Sequence, residues 1–144
     1  MDYKSLRTPE HCLADFCLIP IGTESASVSA QIADVQRLIE ASGVKYTMHS
    51  AGTTLEGSWD RVHEVIGQAH TLLHEQGVVR IQTDIRVGSR TDKEQTAEDK
   101  VNKVKQLLAT DQKQTDTSRA AAGYAAAEAY KAGDAFDNLK AGWA

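Results

Sequence analysis

The chain has 144 residues, 41% of them apolar and 25% charged, with a formal net charge of −4. That is one domain's length with a little to spare, and the composition is ordinary globular. No apolar run reaches the roughly 18–20 residues of a membrane helix, and the first eleven residues do not resemble a signal peptide. The acidic balance argues against a phosphate-backbone binder, which shows a basic stripe. A cytoplasmic protein that binds neither membrane nor nucleic acid is the expectation.

The first strand candidate is 13–21, almost continuously apolar and stopped by Pro20 and Gly22. Such continuity predicts burial on both faces. It holds both cysteine positions or borders them. Cys12 and Cys17, five residues apart on a strand, face opposite sides about 17 Å apart, beyond the roughly 7 Å that a disulfide spans. Two reduced thiols suit a cytoplasmic compartment. A helix follows, with Ser25 or Ser27 as its N-cap. Val28, Ile32, Val35, Leu38 and Ile39 trace its apolar face, and Gly43 ends it.

Strands at 44–50 and 53–57 flank Ala51-Gly52, which predicts a hairpin. Ser58 opens a second helix with the stripe Val62, Val65, Ile66, Ala69, Leu72 and Leu73, closed by Gly77. Residues 78–87 alternate cleanly: Val79, Ile81, Thr83, Ile85 and Val87 against Arg80, Gln82, Asp84 and Arg86. Thr91 with Glu94 reads as a capping box, so a third helix is expected from about Thr91 to Thr110. Residues 111–118 read as a polar linker, and 119–144 as an Ala/Gly-rich mobile tail in which Phe136, Leu139 and Trp143 form a weak stripe.

The fold class that follows is α+β. The first six elements make a ferredoxin-like βαββαβ sandwich, with both helices on one side of an antiparallel sheet. An additional C-terminal helix and the Ala/Gly-rich tail come after it. The organisation is an extension over 1–11, a domain over 12–110, and linker plus tail over 111–144.

Motifs of catalysis are missing from the sequence: no nucleophile elbow, no paired Cys-x-x-Cys, no phosphate loop. His63, His70 and His74 share one edge of the second helix. A stable metal site wants three or four ligands with a supporting shell, so that edge reads as solvated or packed surface, with metal or pH sensing as its alternative. The hairpin 48–59 crowds hydroxyls, a histidine, a carboxylate and a glycine together. Glu56 stands there just before a helix. It either caps helical N–H groups or accepts hydrogen bonds from a ligand amine or protonated ring nitrogen. On the last strand, Asp84 and Arg86 share a face, which suits a bridge between strands or subunits.

Three segments together carry a resemblance: residues 17–23 (CLIPIGT), 49–57 (HSAGTTLEG) and 84–90 (DIRVGSR). In order and spacing the chain resembles, over about 12–110, the small thiamine-binding domain family. That family includes the YkoF-type hydroxymethylpyrimidine-binding proteins and their short single-domain relatives in archaea and fungi. The resemblance implies a ferredoxin-like domain that assembles into dimers and tetramers. It also implies non-catalytic binding of thiamine or its pyrimidine moiety. Neither a cofactor nor a metal is expected.

An aminopyrimidine wants an apolar slot and a few fixed polar partners. Ile19, Met48 and Leu55 are candidates for the slot. His49, Ser50, Thr53, Thr54 and Glu56 are candidates for the polar edge, Glu56 foremost, and Tyr46 or Trp59 for stacking. Three good contacts and a half-buried ring support micromolar affinity, about −8 kcal/mol. Arg80, Gln82, Asp84 and Arg86 are the expected homo-oligomer interface, in a dimer of dimers, because exposed sheet edges invite pairing. Two rivals stand beside this reading: a small enzyme using Glu56 with His49, and a structural or regulatory oligomer without a small ligand.

Overall fold

A computed structural model describes residues 1–131, with side chains through 128. Residues Met1–Ala97 form one compact unit, and a second begins at Glu98. Four strands carry the first unit: β1 (Cys12–Ile21), β2 (Lys45–His49), β3 (Gly52–Gly57) and β4 (Arg80–Gly88). Two helices, α1 (Ser29–Ser42) and α2 (Trp59–Glu75), connect them. The strand order is β2-β3-β1-β4, with every neighbouring pair antiparallel. This is the expected α+β, ferredoxin-like βαββαβ sandwich, followed by a C-terminal helix, α3 (Ala97–Lys131).

The core lies between the helices and one face of the sheet. Alternate residues of β1 (Cys12, Ala14, Phe16 and Leu18) point inward. They meet Leu55 of β3, Val35 and Ile39 of α1, and the α2 stripe from Val62 to Leu73. Burial of each of the larger ones, the valines, leucines, isoleucines and Phe16, contributes about 1.5–3 kcal/mol. The second face of β1 is not covered: Leu13, Asp15 and Cys17 are half-buried, and Ile19 and Ile21 are exposed. The expectation of burial on both faces therefore fails among the described residues of this unit, because α1 and α2 sit on one side. Cys12 and Cys17 are free thiols on opposite faces.

Local signals set the helix ends. Ser58 caps α2, its hydroxyl accepting from the Arg61 N–H at 3.3 Å. Gly43 ends α1 with φ +72°, the left-handed conformation that favours glycine. The start of α1 is a correction. Its N-cap is Val28, without a side-chain cap. Ser25 and Ser27 instead accept from the Ser27 and Ser29 N–H groups in the preceding turns.

The start of α3 is another correction. Helix begins at Ala97, not near Thr91. The Arg90 guanidinium grips the Asp92 carboxylate and reaches Gln95. This holds the Asp92 carboxyl down at about 2 and locks the segment as a loop. Beyond Thr110 the helix continues through 111–118, where a polar linker was expected. No glycine or proline interrupts 97–122, and the Thr115 and Thr117 hydroxyls donate back to the carbonyls four residues earlier. Phe136, Leu139 and Trp143 lie outside the described residues.

Candidate functional site

Unequal strand lengths create the site. β1 pairs with β4 from Leu13 to Ile21, but with β3 only from Cys12 to Phe16. Past Phe16 the hairpin has turned away, and among the described residues one edge of β1 has no strand partner. A strand edge presents unpaired N–H and C=O groups. In the notch beside this edge lies a cavity of about 280 Å³. Its walls are β1 from Phe16 to Pro20, the first turns of α1 (Val28, Ile32, Val35 and Gln36), and the hairpin from Met48 to Thr53.

Gly52 makes this close approach possible. A Cβ there would sit 2.5 Å from the Phe16 carbonyl oxygen. The hairpin can cross against β1 only because position 52 has no side chain. Thr53 is the single buried polar residue among those described, and its hydroxyl accepts from Gln36 Nε2 at 2.9 Å.

Five of the seven candidate ligand residues line this cavity: Ile19, Met48, His49, Ser50 and Thr53. The other two do not. Thr54 pairs with Asp15 and Thr47 on the opposite face of the sheet. Glu56 is on that face too, at the far end of the hairpin. Its carboxylate accepts from the Ala97 N–H at 3.1 Å and lies 3.5 Å from Lys45 and 3.7 Å from His11. Capping of helical N–H groups was one of the two readings of Glu56, and Ala97 is where α3 begins.

Leu55, a candidate for the slot, is fully buried in the core. Trp59 is stacked on His63 at 4.5 Å, and neither it nor Tyr46 lines the cavity.

His49 is fixed from the open face of the sheet. Its Nε2 donates to Asp15 at 2.7 Å, and the Ala51 N–H approaches Nδ1 at 3.4 Å. Asp15 also accepts from Arg86 at 2.5 Å. One carboxylate thus ties β2, β1 and β4 together. The Arg86 and His49 hydrogen bonds hold its carboxyl below the usual carboxylate range. The suggested couple of His49 with Glu56 does not form. The register sets His49 opposite Gly52 and Lys45 opposite Glu56, four residues along β2, or about 13 Å.

The sequence reading missed Gln36, Val28 and Ile32 as a group. The available signal was Gln36 itself, one turn after Ile32 on the inward side of an apolar stripe.

The histidines of α2 are each engaged by the fold. His63 donates to the Trp59 carbonyl at 2.8 Å, His74 to the Val78 carbonyl at 2.7 Å, and His70 shares a 2.6 Å hydrogen bond with Thr83. Among the described residues no three metal-binding side chains gather. Burial, and then the neighbouring His74, push His70 below its ordinary value. Its neutral form is therefore favoured in the fold, and the unfolded chain binds the extra proton near pH 6.5. The stability that neutral His70 confers is lost as pH falls from about 6.5 through the folded value. Urea unfolding between pH 7.5 and 5 is expected to show this loss, and His70→Gln to remove it. An identical pH slope in the variant would discard His70 as its source.

Residues 14–105 match the family described as thiamine-binding protein. The chain belongs to that family. Every residue of the cavity wall falls inside the matched range. The UPF0045 protein ECM15 of Eremothecium gossypii is 52% identical over 98 residues, 68% of this chain and 93% of its own. Among solved structures, the hypothetical protein MJ1052 of Methanocaldococcus jannaschii superposes with a TM-score of 0.61 at 27% identity, over 66% of this chain and 96% of its own. A Thermotoga maritima protein described as a candidate for thiamine biosynthesis or salvage superposes at 0.57, with 21% identity, over 65% and 98%. At that identity the likeness is one of fold. The thiamine-binding match ends inside α3, so most of this helix lies outside the family pattern. Among the described residues no helix is long and apolar enough to cross a membrane.

Proposed function

We propose that this member of the thiamine-binding family binds thiamine, or its hydroxymethylpyrimidine half, in the notch beside β1 and performs no turnover. The observation that carries the reading is the chemistry of the cavity: apolar walls, a buried threonine and a free strand edge. Val28, Ile32 and Met48 offer faces to a flat ring. Thr53, Ser50 and the free edge of β1 offer hydrogen bonds to its rim. The volume decides how much of the vitamin enters. About 280 Å³ lies just under the roughly 300–1,000 Å³ of pockets for drug-sized ligands. One substituted ring fits; the second, charged ring projects toward solvent past Ser50 and Ala51, which are exposed. In this reading Ile19, Met48, His49, Ser50 and Thr53 contact or flank the ligand. Glu56 and Thr54 hold the sheet instead.

The protein works in the cytoplasm as a homo-oligomer, a dimer of dimers. The uncovered sheet face supports this assembly. Arg80, Gln82, Asp84 and Arg86 are exposed along one side of β4, beside exposed Ile19 and Ile21 of β1. Charge there sets register, and the apolar residues supply the burial. Light scattering across a dilution series tests the assembly, and a monomer at every concentration rejects it.

Calorimetric titration with thiamine and with hydroxymethylpyrimidine tests the binding. We expect saturable binding near one ligand per chain. Thr53→Val, which keeps shape and removes the hydroxyl, is expected to weaken it about tenfold, or roughly 1.4 kcal/mol. Glu56→Gln is expected to leave affinity within about twofold. Loss in Glu56→Gln with no change in Thr53→Val would move the site to the other face. Flat traces for both compounds would favour an oligomer without a small ligand.

A further inference from the structure

One residue of the cavity wall, Gln36, carries a buried acceptor without a partner. Gln36 Nε2 donates to Thr53 at 2.9 Å, while Gln36 Oε1 is shut off from solvent and accepts from nothing. Buried acceptors are nearly always satisfied, and one left alone marks a missing partner. Gln31 has the only other such atom among the described residues, and Gln31 does not line the cavity.

From this pairing we infer that Gln36 is the residue that selects the ligand, by demanding a hydrogen-bond donor. The inference rests on the proposed site and deepens it. Thr53 takes one of the two amide N–H groups, and the buried atom with no partner at all is the carbonyl oxygen, so that is the end a ligand would satisfy. The last torsion of a glutamine side chain is broad and soft, so in this proposal the amide turns Oε1 toward the cavity when a ligand donor is there to meet it. A ring amino group or protonated ring nitrogen then completes the acceptor. A ring carbonyl at the same place opposes two acceptors and leaves both unpaired, which is costly where water is excluded. The ligand class is therefore an amino-substituted, not an oxo-substituted, heteroaromatic ring.

The test uses the full chain and two probes, 4-amino-5-hydroxymethyl-2-methylpyrimidine and its 4-oxo counterpart, titrated calorimetrically. Wild type is expected to prefer the amine by about 10–100-fold. Gln36→Met, similar in length and without the amide, is expected to weaken the amine up to tenfold, to relieve the penalty on the oxo ring, and so to bring the two probes within about threefold. Gln36→Glu keeps an acceptor and is expected to keep the preference for the amine, which guards against a fold defect in the first variant. A merely structural Gln36 would lower the melting temperature and leave the amine-to-oxo ratio unchanged, and that result overturns the inference. So does a wild type that prefers the oxo ring, because the amide would then present its donor end. If neither probe binds wild type, the proposed site itself fails and this selection rule falls with it.

Discussion

Gly52→Ala is expected to lower the melting temperature by roughly 5–20 °C. The added Cβ would lie 2.5 Å from the Phe16 carbonyl oxygen and 3.2 Å from its carbonyl carbon. Those atoms belong to the backbone of the central strand and cannot turn aside as a flexible side chain would. Relief requires β3 to move away from β1 where the two strands begin to pair. Overpacking of this kind costs about 1–3 kcal/mol, and each kcal/mol shifts a domain of this size by about 4–8 °C. Gly67→Ala is the control. Gly67 lies mid-helix in α2 with nothing within 4 Å of an added Cβ, so alanine there is expected to stabilise by about 0.5–1 kcal/mol. Thermal melts of the two variants should move in opposite directions. A Gly52→Ala melt within about 2 °C of wild type would show that the hairpin yields at small cost.

The same contact explains what the sequence could and could not disclose. Alternation in β1 and β4 and the 3.6-residue stripes of α1 and α2 depend on neighbours a few residues away, so the sandwich was legible. The hairpin turn was legible too, from Ala51-Gly52 between two strands. Which face each hairpin residue serves follows from register. Here a period of two separates Thr53 from Thr54 and Leu55 from Glu56. The sequence alone grouped these residues by proximity along the chain, whereas the sheet sends alternate ones to opposite faces.

Gln36 illustrates the other limit. Nothing local reveals that its amide meets Thr53, seventeen positions away. Nor does a capping box at Thr91 reveal that Arg90 will draw Asp92 and Gln95 into a loop. The first is a long-range pairing, and the second is a set of short-range side-chain contacts that competes with the capping box for the same few residues. In 111–118 the polar composition alone suggests a break, yet the segment contains no helix-breaking residue and α3 runs through it.

Asp15→Asn carries the second large effect. The carboxylate lies mid-strand on the open face, joined to His49 at 2.7 Å and Arg86 at 2.5 Å, so its loss loosens three strands at once. Exposure decides the magnitude. The Arg86 side chain is 88% exposed and Asp15 25%, so the arginine bond has the small worth of a surface pair, about 0–1 kcal/mol. His49 is less exposed, at 40%, and a hydrogen bond to a charged group contributes about 1.5–3 kcal/mol before solvent screening. A total of about 1–2 kcal/mol at pH 7 is expected.

The pH dependence fixes the assignment. The folded carboxyl titrates below the usual range because Arg86 and then His49 favour its charged form. Between the folded value and the unfolded value near 3.9, the unfolded chain binds more protons, so stability rises with pH. The contribution of Asp15 is present above about pH 4 and is lost as pH falls through the folded value. Chemical denaturation of wild type and Asp15→Asn should therefore differ at pH 7 and converge in strong acid. A gap that stays constant down to acid would mean that the asparagine disturbs packing and that the shared carboxylate does not stabilise the sheet through its charge.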